Sequence, residues 1–102
     1  TLISRRIVRD YFLFPHIGRM DDIWASYYIT AKKYQVIYAE PSVFQKRNKH
    51  NYLNDFNLEL LGYKNNIKLI EALYKNPENI KNFLPKDSNR AFEEWKKIIN
   101  KI

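Results

Sequence analysis

The sequence predicts an α/β chain, helix-rich, with two or three short strands near its front and about four helices. Three observations predict this. Stretches dense in β-branched and aromatic residues lie before residue 46. From residue 21 onward, apolar residues recur mainly at three- and four-residue spacing. Pro and Gly stand at the transitions between these patterns. A chain of 102 residues, 45% hydrophobic and 16% aromatic, can bury roughly 60 to 70% of its unfolded surface and build one core.

The elements follow in order. Residues 3–14 contain Ile3, Ile7, Val8, Tyr11, Phe12, Leu13 and Phe14, and the second half reads as a strand that ends at Pro15. Residues 14–19 form a loop punctuated by Pro15 and Gly18. Asp21 or Asp22 opens a helix that carries Ile23, Trp24, Tyr27, Tyr28 and Ala31 at helical spacing. Lys32 and Lys33 suit its negative end.

Residues 34–39 read as a short strand, broken by Pro41, and 43–45 as a further extended piece. Residues 46–51 are a polar loop. A helix then runs from Tyr52 to a stop near Gly62, and a second carries Ile67 to Tyr74 and stops before Pro77. A helical turn spans 78–84. Asp87 or Ser88 caps a last helix bearing Phe92, Trp95, Ile98, Ile99 and Ile102. So few strands are marginal as a sheet of their own. Together with the Thr1 start, this leads to the expectation that the chain is a piece of something longer.

Several function classes are excluded. With no cysteine, disulfide scaffolds, zinc knuckles and thiol nucleophiles cannot be built. Two glycines are too few for a glycine-rich phosphate loop. No Ser-His-Asp arrangement, apolar run of about 20 residues or basic-then-apolar leader is read. The net charge of +7 favours anionic partners, although Lys is also the default solubilising residue.

Three groups are candidates for chemistry. In Arg19-Met20-Asp21-Asp22-Ile23-Trp24, adjacent carboxylates stand at a helix start. They serve either as caps for orphan N–H groups or, for one of them, as a general base whose pKa Arg19 holds down. The run from Lys46 to His50 is either a solvated basic loop or a diphosphate-binding surface, with His50 able to ligate a divalent metal. The aromatic set Trp24, Tyr27, Tyr28, Tyr34 and Tyr38 is either core or a stacking surface for a sugar or base.

Residues 14–27 and 40–50 together resemble the C-terminal part of a glycosyltransferase of the GT-A (Rossmann-like) fold. The likeness is to family-2-like bacterial enzymes and to STELLO-type and reversibly glycosylated polypeptide-type proteins, and it covers about residues 11–63. It implies that residues 1–63 form the acceptor-side part of a catalytic domain and residues 64–102 a helical extension. It further implies Asp22 as the base that deprotonates an acceptor hydroxyl and Asp21 as its partner. Arg19, Trp24, Arg47, Asn48 and Lys49 would bind substrate, and His50 would bind metal. A divalent metal, Mn or Mg, is expected only with an Asp-X-Asp half that this sequence lacks. The implied partners are a nucleotide-sugar donor and an acceptor glycan or other hydroxyl compound. Nucleic acid is disfavoured, and the expected location is cytoplasmic, with contact to a membrane surface compatible. The rival expectation is a small basic, non-catalytic binding module for nucleic acid or an acidic protein. A third is a helical interaction domain that docks through Trp95 and Ile99.

Overall fold

A computed structural model describes residues 2–46 and 51–102. The described residues form three α-helices: α1 (Asp21–Ala31), α2 (Tyr52–Lys75) and α3 (Lys86–Ile99). Two 3-10 segments accompany them, Gly18–Met20 before α1 and Pro77–Asn82 between α2 and α3.

The described residues contain no strand, so the expected α/β class and the GT-A (Rossmann-like) sheet are corrected to an all-helical fold. Strand pairing requires a neighbour to accept and donate along the backbone, and among the described residues no backbone hydrogen bond joins any two of the three apolar stretches. Residues 3–14 and 34–39 meet through side chains, Tyr34 O–H donating to Asp10 Oδ2 at 2.7 Å. Around residues 4–11 the backbone closes on itself instead. Ile7 N–H donates to Ser4 O and Asp10 N–H to Ile7 O, each at 2.9 Å. Residues 11–14 are irregular, and Phe14 is buried while Phe12 packs against the core. Residues 34–46 carry no regular structure, and Tyr38, Val43 and Phe44 stand in solvent there at 94%, 89% and 92% exposure.

The second correction concerns Gly62. It does not stop a helix, because α2 runs unbroken for 24 residues. Glycine in a helix interior costs about 1 kcal/mol relative to Ala, and packing explains why it stands there. A Cβ at residue 62 would collide with Met20 Sδ, and Met20 is itself buried. Gly18 marks the same close approach from the other side. It sits at φ +61°, where a side chain is strained, and a Cβ there would come within 2.9 Å of Leu58 O. Both glycines of the sequence therefore serve one contact, the seating of the Gly18–Met20 turn on α2.

Helix ends follow local chemistry. Asn51 caps α2, its side chain accepting from Asn54 N–H at 3.1 Å. Asn76 ends α2 in an extended conformation, and its side chain accepts from Glu78 N–H at 3.0 Å, opening the Pro77–Asn82 segment. α3 starts at Lys86 directly after Pro85, without a side-chain cap. The expected cap at Asp87 or Ser88 is therefore corrected: both lie inside the first turn, and Ser88 is fully buried.

The core gathers around aromatic rings. Phe92 of α3 lies edge-on to Phe14 at 5.1 Å and to Tyr28 at 5.6 Å between ring centroids. It stacks on Phe12 at 5.4 Å. Leu69 and Leu73 from α2, Ile80 and Leu84 close the cluster. Trp95 belongs here too: its ring lies 5.0 Å from Phe12. Trp95 is half-buried, so part of the ring offered for docking on α3 is taken up by this packing. The radius of gyration is 14.8 Å, above the roughly 13 Å of a compact domain of this length. Among the described residues no helix is long and apolar enough to cross a membrane.

Candidate functional site

Among the described residues, the expected site residues that come together lie where the start of α1 faces the middle of α2. Arg19, Asp22 and Ile23 border a cleft of about 360 Å³ there with Met20, Glu59, Tyr63 and Asn66. The Pro15–Gly18 loop delivers these residues. His16 and Gly18 both take left-handed backbone angles, φ 66° and 61°, which turn the chain sharply into α1.

Each expected residue has a definite place. Asp21 is half-buried, and its Oδ1 accepts from Asp22 N–H at 2.7 Å. It thereby satisfies an orphan donor at the positive end of α1. Asp22 is exposed at the cleft, and its backbone carbonyl accepts from Ser26 Oγ at 3.0 Å. Arg19 does not face Asp22 as a charge partner. Its Nη1 pairs with Asp55 Oδ1 at 3.2 Å and its Nε with Glu59 Oε1 at 3.1 Å. Trp24 is fully buried and its Nε1–H donates to Asn66 Oδ1 at 2.8 Å. It is a core residue that fixes α1 on α2, and its ring presents no face to a substrate. Arg47, Asn48, Lys49 and His50 lie outside the described residues.

The electrostatics run against the net charge of the chain. The cleft lining carries Arg19 against Asp22 and Glu59, and Asp55 draws on the same guanidinium. A diphosphate would meet carboxylates there and an arginine already neutralised. The acidic pair also acts on Tyr11, whose phenol is pushed up by burial and then by the charges of Asp22 and Asp21. Among the described residues no three His, Asp or Glu side chains gather as a metal-ligand set.

A second polar group sits on the far side of α1. Tyr28, buried in the core, donates from its hydroxyl to Glu78 Oε1 at 3.3 Å and accepts from Lys96 Nζ at 3.0 Å. Burial, then the Glu78 charge, pushes the Tyr28 phenol up to about 12. Burial pushes Glu78 up as well, but Lys96 and Lys81 outweigh it and hold the carboxyl below its ordinary value. Lys96 Nζ also lies 4.4 Å from the centre of the Phe92 ring. This cluster ties α3 and the Pro77–Asn82 segment to α1.

What the sequence reading missed lies along the outer side of α2. Leu53, Phe56, Tyr63, Ile67, Ile70 and Tyr74 all stand exposed, from 36% at Ile70 to 79% at Tyr74. Half-buried Leu60 completes a spacing of three and four residues over the length of the helix. The opposite side of α2 carries Gly62, Leu69 and Leu73, which are buried. The signal was present in the sequence but was cut by the stop expected at Gly62. Across that residue the spacing continues without interruption, from Leu60 to Tyr63 to Ile67. No known protein family, curated protein or solved structure matches the chain.

Proposed function

We propose that the chain is a small helical, non-catalytic binding module that receives a partner on the outer face of α2. One observation carries this reading: six large apolar side chains, on a helix already packed on its other side, are exposed together. Contiguous exposed apolar patches of this kind are rare on soluble monomers except where something docks. The +7 charge adds attraction to acidic partners at longer range. A photo-reactive phenylalanine analogue at Ile67 tests it in cells that express the full chain. A discrete adduct is expected from Ile67, lost when Ile70→Glu is added, and none from exposed Arg90 on α3. No adduct from Ile67, or one that survives Ile70→Glu, removes the reading.

A glycosyltransferase segment is the second reading, favoured by the position of Asp22 at the cleft beside Tyr63 and Asn66. Its test is turnover with nucleoside-diphosphate sugars and manganese on an N-terminally extended chain. Loss of a general base typically lowers turnover by about 100-fold or more. That drop is expected of Asp22→Asn if the residue is the base, and unchanged turnover removes the role.

A further inference from the structure

We propose that the partner on α2 is a second copy of this chain, joined through a two-helix seam; this rests on the binding-module reading above. The spacing along the outer face identifies the kind of partner. Seven apolar positions follow one another at alternating steps of three and four over residues 53–74, with no charged residue among them. That 3.5-residue period presents a seam to another helix over its whole length. An extended peptide reads residues two apart instead.

The size of the face fits a dimer. The six exposed side chains amount to roughly 800 Å² on one helix, which is what each partner contributes to a stable interface. α2 is 24 residues long, or about 36 Å, so the seam runs three heptads. Two-fold pairing of one patch with itself is the commonest closed assembly.

The flanking charges point the same way. With Leu53, Leu60, Ile67 and Tyr74 as the a positions, Lys64 and Glu71 fall at e positions beside the seam and have opposite signs. That flank therefore brings one positive and one negative charge to its own copy, while Glu59, at a g position on the other flank, is held by Arg19. This local balance matters because two chains of charge +7 repel one another at long range. Rotation of α2 to hide the face inside its own domain is closed off. Leu69 and Leu73 are locked in the core, and Gly62 is seated against Met20.

Sedimentation equilibrium of the full purified chain, from about 1 to 200 μM at 150 mM salt, tests this. The expected result is a species of twice 12.4 kDa at the upper concentrations. Ile67→Glu should raise its dissociation constant by at least about 100-fold, with helix content by circular dichroism unchanged. Ile98→Glu, at a 61% exposed position on α3, should leave the dimer intact and serves as control. A wild-type chain that stays at 12.4 kDa throughout, or a dimer indifferent to Ile67→Glu, overturns the proposal. Should the Ile67 photo-adduct combine this chain with a different protein while sedimentation shows a monomer, the second copy is ruled out. The binding-module reading would survive that result.

Discussion

The two sides of α2 are built from the same kinds of residue and meet opposite fates. On the inner side, Leu69 and Leu73 are at most 2% exposed and touch the Phe14, Tyr28 and Phe92 cluster. On the outer side, Tyr63, Ile67 and Tyr74 are at least 69% exposed. Hydropathy alone does not distinguish them. The difference comes from which side the Gly18–Met20 turn and α1 can approach, and the two glycines decide that. Burial stabilises the monomer on one side, while the other side leaves its apolar surface open to the association proposed above.

The strongest way to break this comparison is to delete a ring from the inner side. Phe92→Ala removes a fully buried ring that contacts Phe12, Phe14 and Tyr28. A loss of about 3–5 kcal/mol is expected, a large share of the stability of a small domain. Urea unfolding measures it; a loss under about 1 kcal/mol would show that the ring cluster is not the core.

Gly18→Ala comes next. The left-handed backbone and the approach to Leu58 O set an expected cost of about 1–3 kcal/mol. Thermal unfolding at unchanged or raised Tm would show that the turn does not sit on α2 in this way.

The pH dependence sharpens the comparison at a smaller scale. The Tyr28 phenol is pushed up to about 12 by burial and by Glu78. The folded chain therefore keeps a proton that the unfolded chain loses near pH 10. Stability present below that pH should decline as pH rises toward 12. Glu78, held low against its burial by Lys96 and Lys81, acts at the other end. Its contribution is present above the ordinary carboxylate range and is lost as pH falls through its lowered value. Urea unfolding across pH should show both trends, and Tyr28→Phe should flatten the alkaline one. An equal alkaline slope in that variant would place the effect elsewhere.

The smallest expected effect is Ile67→Ala. In dilute monomer, where the side chain touches little, stability should change by less than about 0.5 kcal/mol. A larger change in the monomer would show that the outer face is already covered within one chain.

Much of the helical part of the fold was legible in the sequence. The start of α1 at the acidic pair and the stop before Pro77 follow from dipole and proline rules, and the final helix follows from the spacing of Phe92, Trp95 and Ile99, although its start was misplaced. The strands were not. Val36, Ile37 and Tyr38 read as a strand because composition records affinity for a pleated surface. It does not record whether a neighbouring strand exists. Gly62 misled in the opposite way. Its usual meaning is a helix end, and its meaning here is room for Met20, a residue 42 positions away that no local pattern can place. At the site, adjacency suggested that Arg19 serves Asp22, and that Trp24, two residues further on, offers a face to ligand. In the fold Arg19 turns to Asp55 and Glu59, and Trp24 turns inward to Asn66.

By itself the sequence determined the exclusions and the helices: no cysteine chemistry, no glycine phosphate loop, and apolar residues spaced for helical faces. These are properties of residue type and short spacing, which act within a few turns of backbone. Only the tertiary structure decided which face of α2 is core, that Arg19 is neutralised, and that the front of the chain forms no sheet. Each of these depends on contacts between residues far apart in the chain. Their formation is set by close approach and by the availability of a partner, and neither is written in local sequence.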